Sequence, residues 1–212
     1  MIGDHLTYHP EYKAVSNVVI AEIEKQMCNG ARLCIAVGGE SGSGKTSLAY
    51  ALYVDIQQYF GVKGFLFHGD DYFFYPPKDN HNRRLKDISI VGTGEVDLDL
   101  LSRNILEFKK NEAPVHKPLV NYDENKILEE KINPGDFQFC LVEGTYTMLL
   151  ENIDYKVFIE TNYKETKMSR LKRARDIIND FNEEVLEIEH NIIKTHRSYA
   201  DLIYGKNTIQ FK

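Results

Sequence analysis

Residues 33–46 read LCIAVGGESGSGKT, and the change of character inside this stretch decides the fold. From 32 to 37 the chain is a continuous apolar run of strand length, the kind that fills the centre of a parallel sheet. Residues 38–44 are glycine-rich, and from 45 to 59 the apolar residues return with helical spacing. A buried strand, a glycine loop and a helix in that order expect the loop at the carboxyl edge of a sheet.

Gly39 to Thr46 fills every fixed position of G-x-x-x-x-G-K-S/T. The spacing has a chemical reason. Backbone N–H groups of Gly39, Glu40, Ser41, Gly42, Ser43 and Gly44 wrap a phosphate as an anion nest, and the following helix points its positive end at the same oxygens. Lys45 reaches the β- and γ-phosphates, the Thr46 hydroxyl is an Mg²⁺ ligand, and Ser47 is a weaker second hydroxyl. A chance match in a chain of this size is of order one in a hundred, and the strand and helix on either side lower it further. Binding of a nucleoside triphosphate is expected.

Working outward, the segment 12–27 has helical spacing and ends at Asn29-Gly30, a C-cap pair. Apolar strands are expected at 61–68, 138–142 and 156–159, with helices at 98–110, 165–178 and 184–197. Residues 114–132 have a polar centre with apolar flanks and read as a projecting β-hairpin. Repeated strand–helix units predict a three-layer α/β fold with a mainly parallel sheet. The 212 residues form one domain, since no composition shift marks a second.

Composition narrows the function classes. The chain is 42% hydrophobic and 27% charged, with a formal net charge of −6. An acidic balance argues against nucleic acid or an anionic membrane as partner. No apolar stretch approaches the length of a membrane span or a secretion signal. Cys28, Cys34 and Cys140 form neither a C-x-x-C pair nor a disulfide framework. A reduced, cytoplasmic location is expected.

The second strand ends in His68-Gly69-Asp70-Asp71, followed by Tyr72-Phe73-Phe74-Tyr75. Ligands of open α/β sheets sit beyond the carboxyl ends of the strands, so these carboxylates should face the phosphate loop. A carboxylate there can take the proton of a substrate hydroxyl. The aromatics either wall an acceptor pocket or fill the core behind it. Glu143, in LVEG at 141–144, ends another buried strand, where a charge needs a cation such as Mg²⁺.

GESGSGKT, HGDDYFF, LVEG and the basic run SRLKRARD at 169–176 follow one another as in the uridine kinase/phosphoribulokinase superfamily of P-loop kinases. The chain resembles that family from about residue 32 to residue 203. The resemblance implies a P-loop NTPase fold with a helical lid near 164–182, and a kinase that uses ATP and Mg²⁺. It implies Asp70 as catalytic base, Glu143 near the metal, and Arg170, Arg173 and Arg175 as lid groups over the phosphates. It also implies an acceptor site at Asp70, Tyr72, Phe73, Asp97 and the hairpin residue Tyr122. The implied partner is a small hydroxyl-bearing metabolite, a nucleoside such as uridine or cytidine first; homo-oligomer formation stays open.

Three departures bear on the acceptor. The family's ribose-binding Asp falls on Val91, no His follows Tyr122, and IINDFNEE replaces the second lid arginine pair. Arg83, Arg84, Glu95, Asp97 and Asn121 are left to compensate, with Glu187 and His190 as further candidates. Acceptors of pantothenate, nicotinamide riboside or sugar type therefore stay open, as does an NTPase switch with no acceptor. No N-K-x-D guanine-reading sequence is present. The family's C-terminal helix is missing, so the N-terminal helix is expected to cover that part of the sheet.

Overall fold

The computed structural model describes residues 2, 6–167, 179–205 and 208–211. Its centre is a six-stranded sheet in the order β2-β5-β1-β6-β7-β8. The strands are β1 (Leu33–Gly39), β2 (Gly64–His68), β5 (Phe139–Gly144), β6 (Tyr155–Ile159), β7 (Leu202–Gly205) and β8 (Thr208–Phe211). All pairings are parallel except the β7–β8 edge. A separate antiparallel hairpin pairs β3 (Val115–Asn121) with β4 (Lys126–Ile132). The helices are α1 (Lys13–Cys28), α2 (Lys45–Phe60), α3 (Pro77–Lys86), α4 (Leu98–Lys110) and α5 (Asp180–His196).

The continuous apolar runs are explained by two cores, one on each face. Leu33, Ile35 and Val37 of β1 pack with Phe139, Leu141, Val157 and Leu202 under α1 and α2. Cys34 and Ala36 point the other way, with Cys140, Val142 and Phe158, under α4 and Ile193 of α5. Period-two alternation with both faces covered leaves no polar side to the strand. Val15, Val19, Ile20 and Ile23 of α1 lie on the face carrying Val157 and Leu202, so α1 does cover this part of the sheet. Cys34 and Cys140 are buried free thiols.

Helix α3 has no counterpart in the sequence reading. Its ten residues, PKDNHNRRLK, carry no apolar stripe, and Pro77 starts it where a missing N–H costs nothing. The expected helix at 165–178 lies almost wholly outside the described residues. Among the described residues no helix is long and apolar enough to cross a membrane.

One buried ion pair ties the hairpin to the sheet. Lys117 donates from Nζ to Asp71 Oδ2 at 2.9 Å, and the Val120 amide donates to Asp71 Oδ1 at 2.9 Å. Lys117 and Asp71 side chains are 2% and 0% exposed. Breaking such a pair strands a buried charge. Asp71→Ala is expected to cost about 3–5 kcal/mol in urea unfolding at pH 7. Asp71→Ala/Lys117→Met should recover part of that loss; a single-variant cost below about 1 kcal/mol would refute the assignment.

Candidate active site

Residues 39–46 form the loop between β1 and α2, and its shape depends on glycine at two positions. Gly42 and Gly44 have φ of 74° and 96°, in the region that side chains rarely adopt. A Cβ on Gly44 would also lie 2.6 Å from the Tyr12 hydroxyl oxygen. Within the loop, Lys45 Nζ donates to the Glu40 carbonyl at 2.9 Å and the Ser43 amide to the same oxygen at 3.1 Å. The cradle is therefore closed around its own lysine.

The Glu40 side chain is held by protein groups. Its carboxylate is buried, hydrogen-bonded through Oε1 to His190 Nδ1 of α5 at 2.7 Å and accepting the Tyr163 amide on Oε2 at 2.7 Å. Thr166 Oγ1 donates to the Ser41 carbonyl at 3.1 Å. The segment leading into the expected lid is thus fastened to the phosphate loop. Glu40 can serve a nucleotide only through its backbone, since its carboxylate is committed to protein groups.

Parallel pairing of β5 with both β1 and β2 brings Val37, Glu143 and His68 level across the sheet edge. Glu143 is 3% exposed. Its Oε1 is 2.9 Å from His68 Nδ1, and its Oε2 accepts the Thr46 hydroxyl at 3.1 Å. Burial opposes its ionisation, but His68, Lys45 and the Thr46 hydroxyl prevail and hold the carboxyl below the usual range. Close approach of Gly69 and Gly144 lets the two strand ends meet: a Cβ on Gly69 would lie 3.0 Å from the Glu143 carbonyl oxygen.

Asp70 stands one turn beyond β2 on the same edge. Burial and the Glu143 charge push its carboxyl up to about 6, against the lowering effect of Lys45 and His68. It lines a small cavity with Phe73, Val96, Leu98, Tyr146 and Thr147. Phosphate loop, Glu143 and Asp70 converge as the sequence reading placed them.

Other expected acceptor residues occupy different positions. Tyr72 is not a pocket wall: it is 1% exposed in the core, its hydroxyl donating to Asn104 Oδ1 at 2.9 Å. Asp97 caps α4, its Oδ1 accepting the Leu100 amide at 2.9 Å. Both are held there because 72–74 pairs with 95–97 as a short extended bridge. Tyr122 lies half-buried in the hairpin turn. Arg170, Arg173 and Arg175 lie outside the described residues. Glu187 is exposed, and Arg83 stacks on the Tyr75 ring at 4.0 Å.

Two buried groups escaped the sequence reading. Tyr146 follows the EG dipeptide and is 3% exposed. Glu189 falls between Leu186 and Ile193 of α5, on the buried face. An ionisable group on an apolar stripe is the signal that would have found it. Arg84 binds Glu95 at 2.6 and 2.8 Å and reaches Glu189 at 3.0 Å.

The raised proton affinity of Asp70 has a consequence for stability. Between pH 4 and 6 the folded state holds a proton that the unfolded chain has released, so this carboxyl lowers stability as pH rises through that window. Asp70→Asn removes the effect. The variant should gain on the parent by up to about 2–3 kcal/mol between pH 4 and 7, read by urea unfolding at both pH values. A difference independent of pH would contradict the assignment.

Comparison with known proteins gives these features a context. The family model described as Phosphoribulokinase / Uridine kinase family matches residues 34–204. The bifunctional alpha-galactosidase/sucrose kinase AgaSK of Mediterraneibacter gnavus is 30% identical over 193 residues, 83% of this chain. This chain spans only 20% of that relative's length. A uridine kinase of Lactobacillus johnsonii is 23% identical, with 84% of this chain and 89% of the relative covered. Among solved structures, a possible uridine kinase from Bacillus stearothermophilus superposes with a TM-score of 0.59 at 17% identity, covering 92% of this chain and 97% of that one. Phosphoribulokinase from Rhodobacter spheroides superposes with 0.64 at 15%, covering 83% and 70%. At those identities the superpositions show the shared fold.

Proposed function

The chain belongs to the phosphoribulokinase/uridine kinase family, and we propose that it transfers the γ-phosphoryl group of ATP to a hydroxyl of a small metabolite. The observation that carries this reading is Asp70, a carboxylate with a proton affinity near neutrality at the edge of a cavity beside the phosphate loop. An NTPase switch needs a positioned water, and nothing about it calls for a second cavity with a tuned base.

In this reading the acceptor hydroxyl sits in the cavity and gives its proton to Asp70 as its oxygen attacks the γ-phosphorus. A base with a pKa of about 6 is ionised at pH 7 yet strong enough to take that proton. Lys45 exchanges the Glu40 carbonyl for the β- and γ-phosphate oxygens. Arg170, Arg173 and Arg175 are proposed to close over the phosphates and exclude water, with Arg175 on the nucleotide.

The residues present fit Mg²⁺. Thr46 and Glu143 offer hard oxygen donors 3.1 Å apart, and a magnesium ion shared with phosphates and water needs only one or two protein oxygens. When bound, it would neutralise phosphate charge. Glu143, kept ionised by its neighbours, would orient it from Thr46's side.

For the acceptor, the family makes a nucleoside the first expectation. Val91, at the place of the ribose-binding Asp, is buried and apolar, which removes one set of ribose contacts. A sugar-type acceptor is the second reading, supported by that loss and by the relative whose kinase activity is described for sucrose.

Incubation with Mg·ATP and separate nucleosides, sugars and vitamins should give ADP release above the no-acceptor blank for one class. Asp70→Asn should lower kcat about 10²–10⁴-fold with ATP binding intact, and should abolish the fall in kcat/KM below about pH 6. Equal ADP release with and without every acceptor would sink the kinase reading in favour of an NTPase switch.

A further inference from the structure

A loop that holds phosphates through its backbone must be shaped before they arrive. Gly42 and Gly44 lie at positive φ, so this one carries the conformational freedom of glycine at two positions. Amides kept for phosphate oxygens are not available to brace it. On its inner side the Glu40 carbonyl accepts both Lys45 Nζ and the Ser43 amide.

The outer side is pinned by two segments distant in sequence. His190 of α5 places Nδ1 2.7 Å from Glu40 Oε1, and the Tyr163 amide donates to Glu40 Oε2 at 2.7 Å. Thr166 Oγ1 donates to the Ser41 carbonyl at 3.1 Å. The turn that carries Tyr163 and Thr166 is itself rigidly tied. Asn162 Oδ1 accepts the Lys164 and Glu165 amides at 3.0 and 3.1 Å, and Glu165 Oε2 accepts the Asn162 amide at 3.1 Å. The His190 ring lies against the Tyr163 ring, with centroids 5.8 Å apart. The Glu40 side chain is only 8% exposed, so removing either donor leaves a buried carboxylate oxygen short of a partner.

We infer that Glu40 and His190 are positioning residues for the triphosphate of the nucleotide, their side chains holding the backbone of residues 40–43 in its phosphate-binding shape from outside. This rests on the kinase reading above and adds to it the means by which the loop is ordered in advance. One residue serves both sides: the Glu40 carbonyl anchors Lys45 inward, and its carboxylate anchors α5 and the 162–166 turn outward. A shift of that residue moves the lysine anchor and the Ser43 amide together. A loop already ordered leaves less of the binding free energy to be consumed by ordering it. Its partners also keep the carboxylate turned away from the phosphates, whose charge has the same sign.

The test titrates the full chain with Mg·ATP and, separately, with magnesium tripolyphosphate, which probes the loop without a nucleoside. His190→Ala should weaken both ligands in parallel, about 3–10-fold, and Glu40→Ala about tenfold or more. The double variant Glu40→Ala/His190→Ala should bind no more weakly than Glu40→Ala, because both groups act through one carboxylate. His190→Asn, whose amide can donate from near the place of Nδ1, should recover most of the loss. Should Glu40→Ala fail to fold, His190→Ala and His190→Asn decide, since His190 is a third exposed at its side chain. A lowered Tm with both dissociation constants unchanged overturns the inference and leaves the kinase reading standing. So does weakened ATP binding with tripolyphosphate binding unchanged. A parent protein that binds neither ligand overturns both.

Discussion

The hydrogen-bonded chain His68–Glu143–Thr46 is the constraint on which the rest of the site depends. It joins the ends of two strands and the first turn of α2 through a single buried carboxylate. An ionised carboxylate in this position survives only because it accepts from both sides and faces Lys45. That same ionisation is felt by Asp70, whose carboxyl is pushed up by the charge next door. Two neighbouring acids are thereby driven apart, one toward ionisation and one toward proton uptake. Such a division is what general-base chemistry beside a cation site needs.

Adjacent aspartates make the point in another way. Asp70 and Asp71 differ by one position, yet one faces the cavity and the other is sealed under the hairpin by Lys117. The 3-10 turn at Gly69–Tyr72 sends successive side chains in different directions. The residue that anchors the hairpin and the residue that borders the cavity are therefore joined through one peptide unit. Tyr72 belongs to the anchoring side, its hydroxyl held by Asn104 of α4.

This explains what was legible in the sequence. The phosphate loop was, because glycine, lysine and threonine at fixed spacing meet a local requirement. So were the strands: LCIAV and FCLV are apolar without alternation because both faces are covered. Hairpin residues 114–132 and helix 98–110 followed from local pattern alone. Helix α3 was hidden, since it is held by polar contacts such as Asn80 and Arg84 with Glu95, and not by a stripe. The burial of Tyr72 is hidden in the sequence because four successive aromatics give no hint of which one the turn buries. His190 grips Glu40, a pairing across 150 positions that no spacing rule encodes.

The distribution of charge gives the acidic composition a structural meaning. Lys45 stands in the phosphate loop, Asp70 borders the cavity beside it, and Arg84 is shared by the buried carboxylates of Glu95 and Glu189. Glu189 holds its proton more tightly than usual, because burial and Glu95 outweigh Arg84. A cation and buried acids set apart in this way give the chain a local field that its formal net charge of −6 does not reveal.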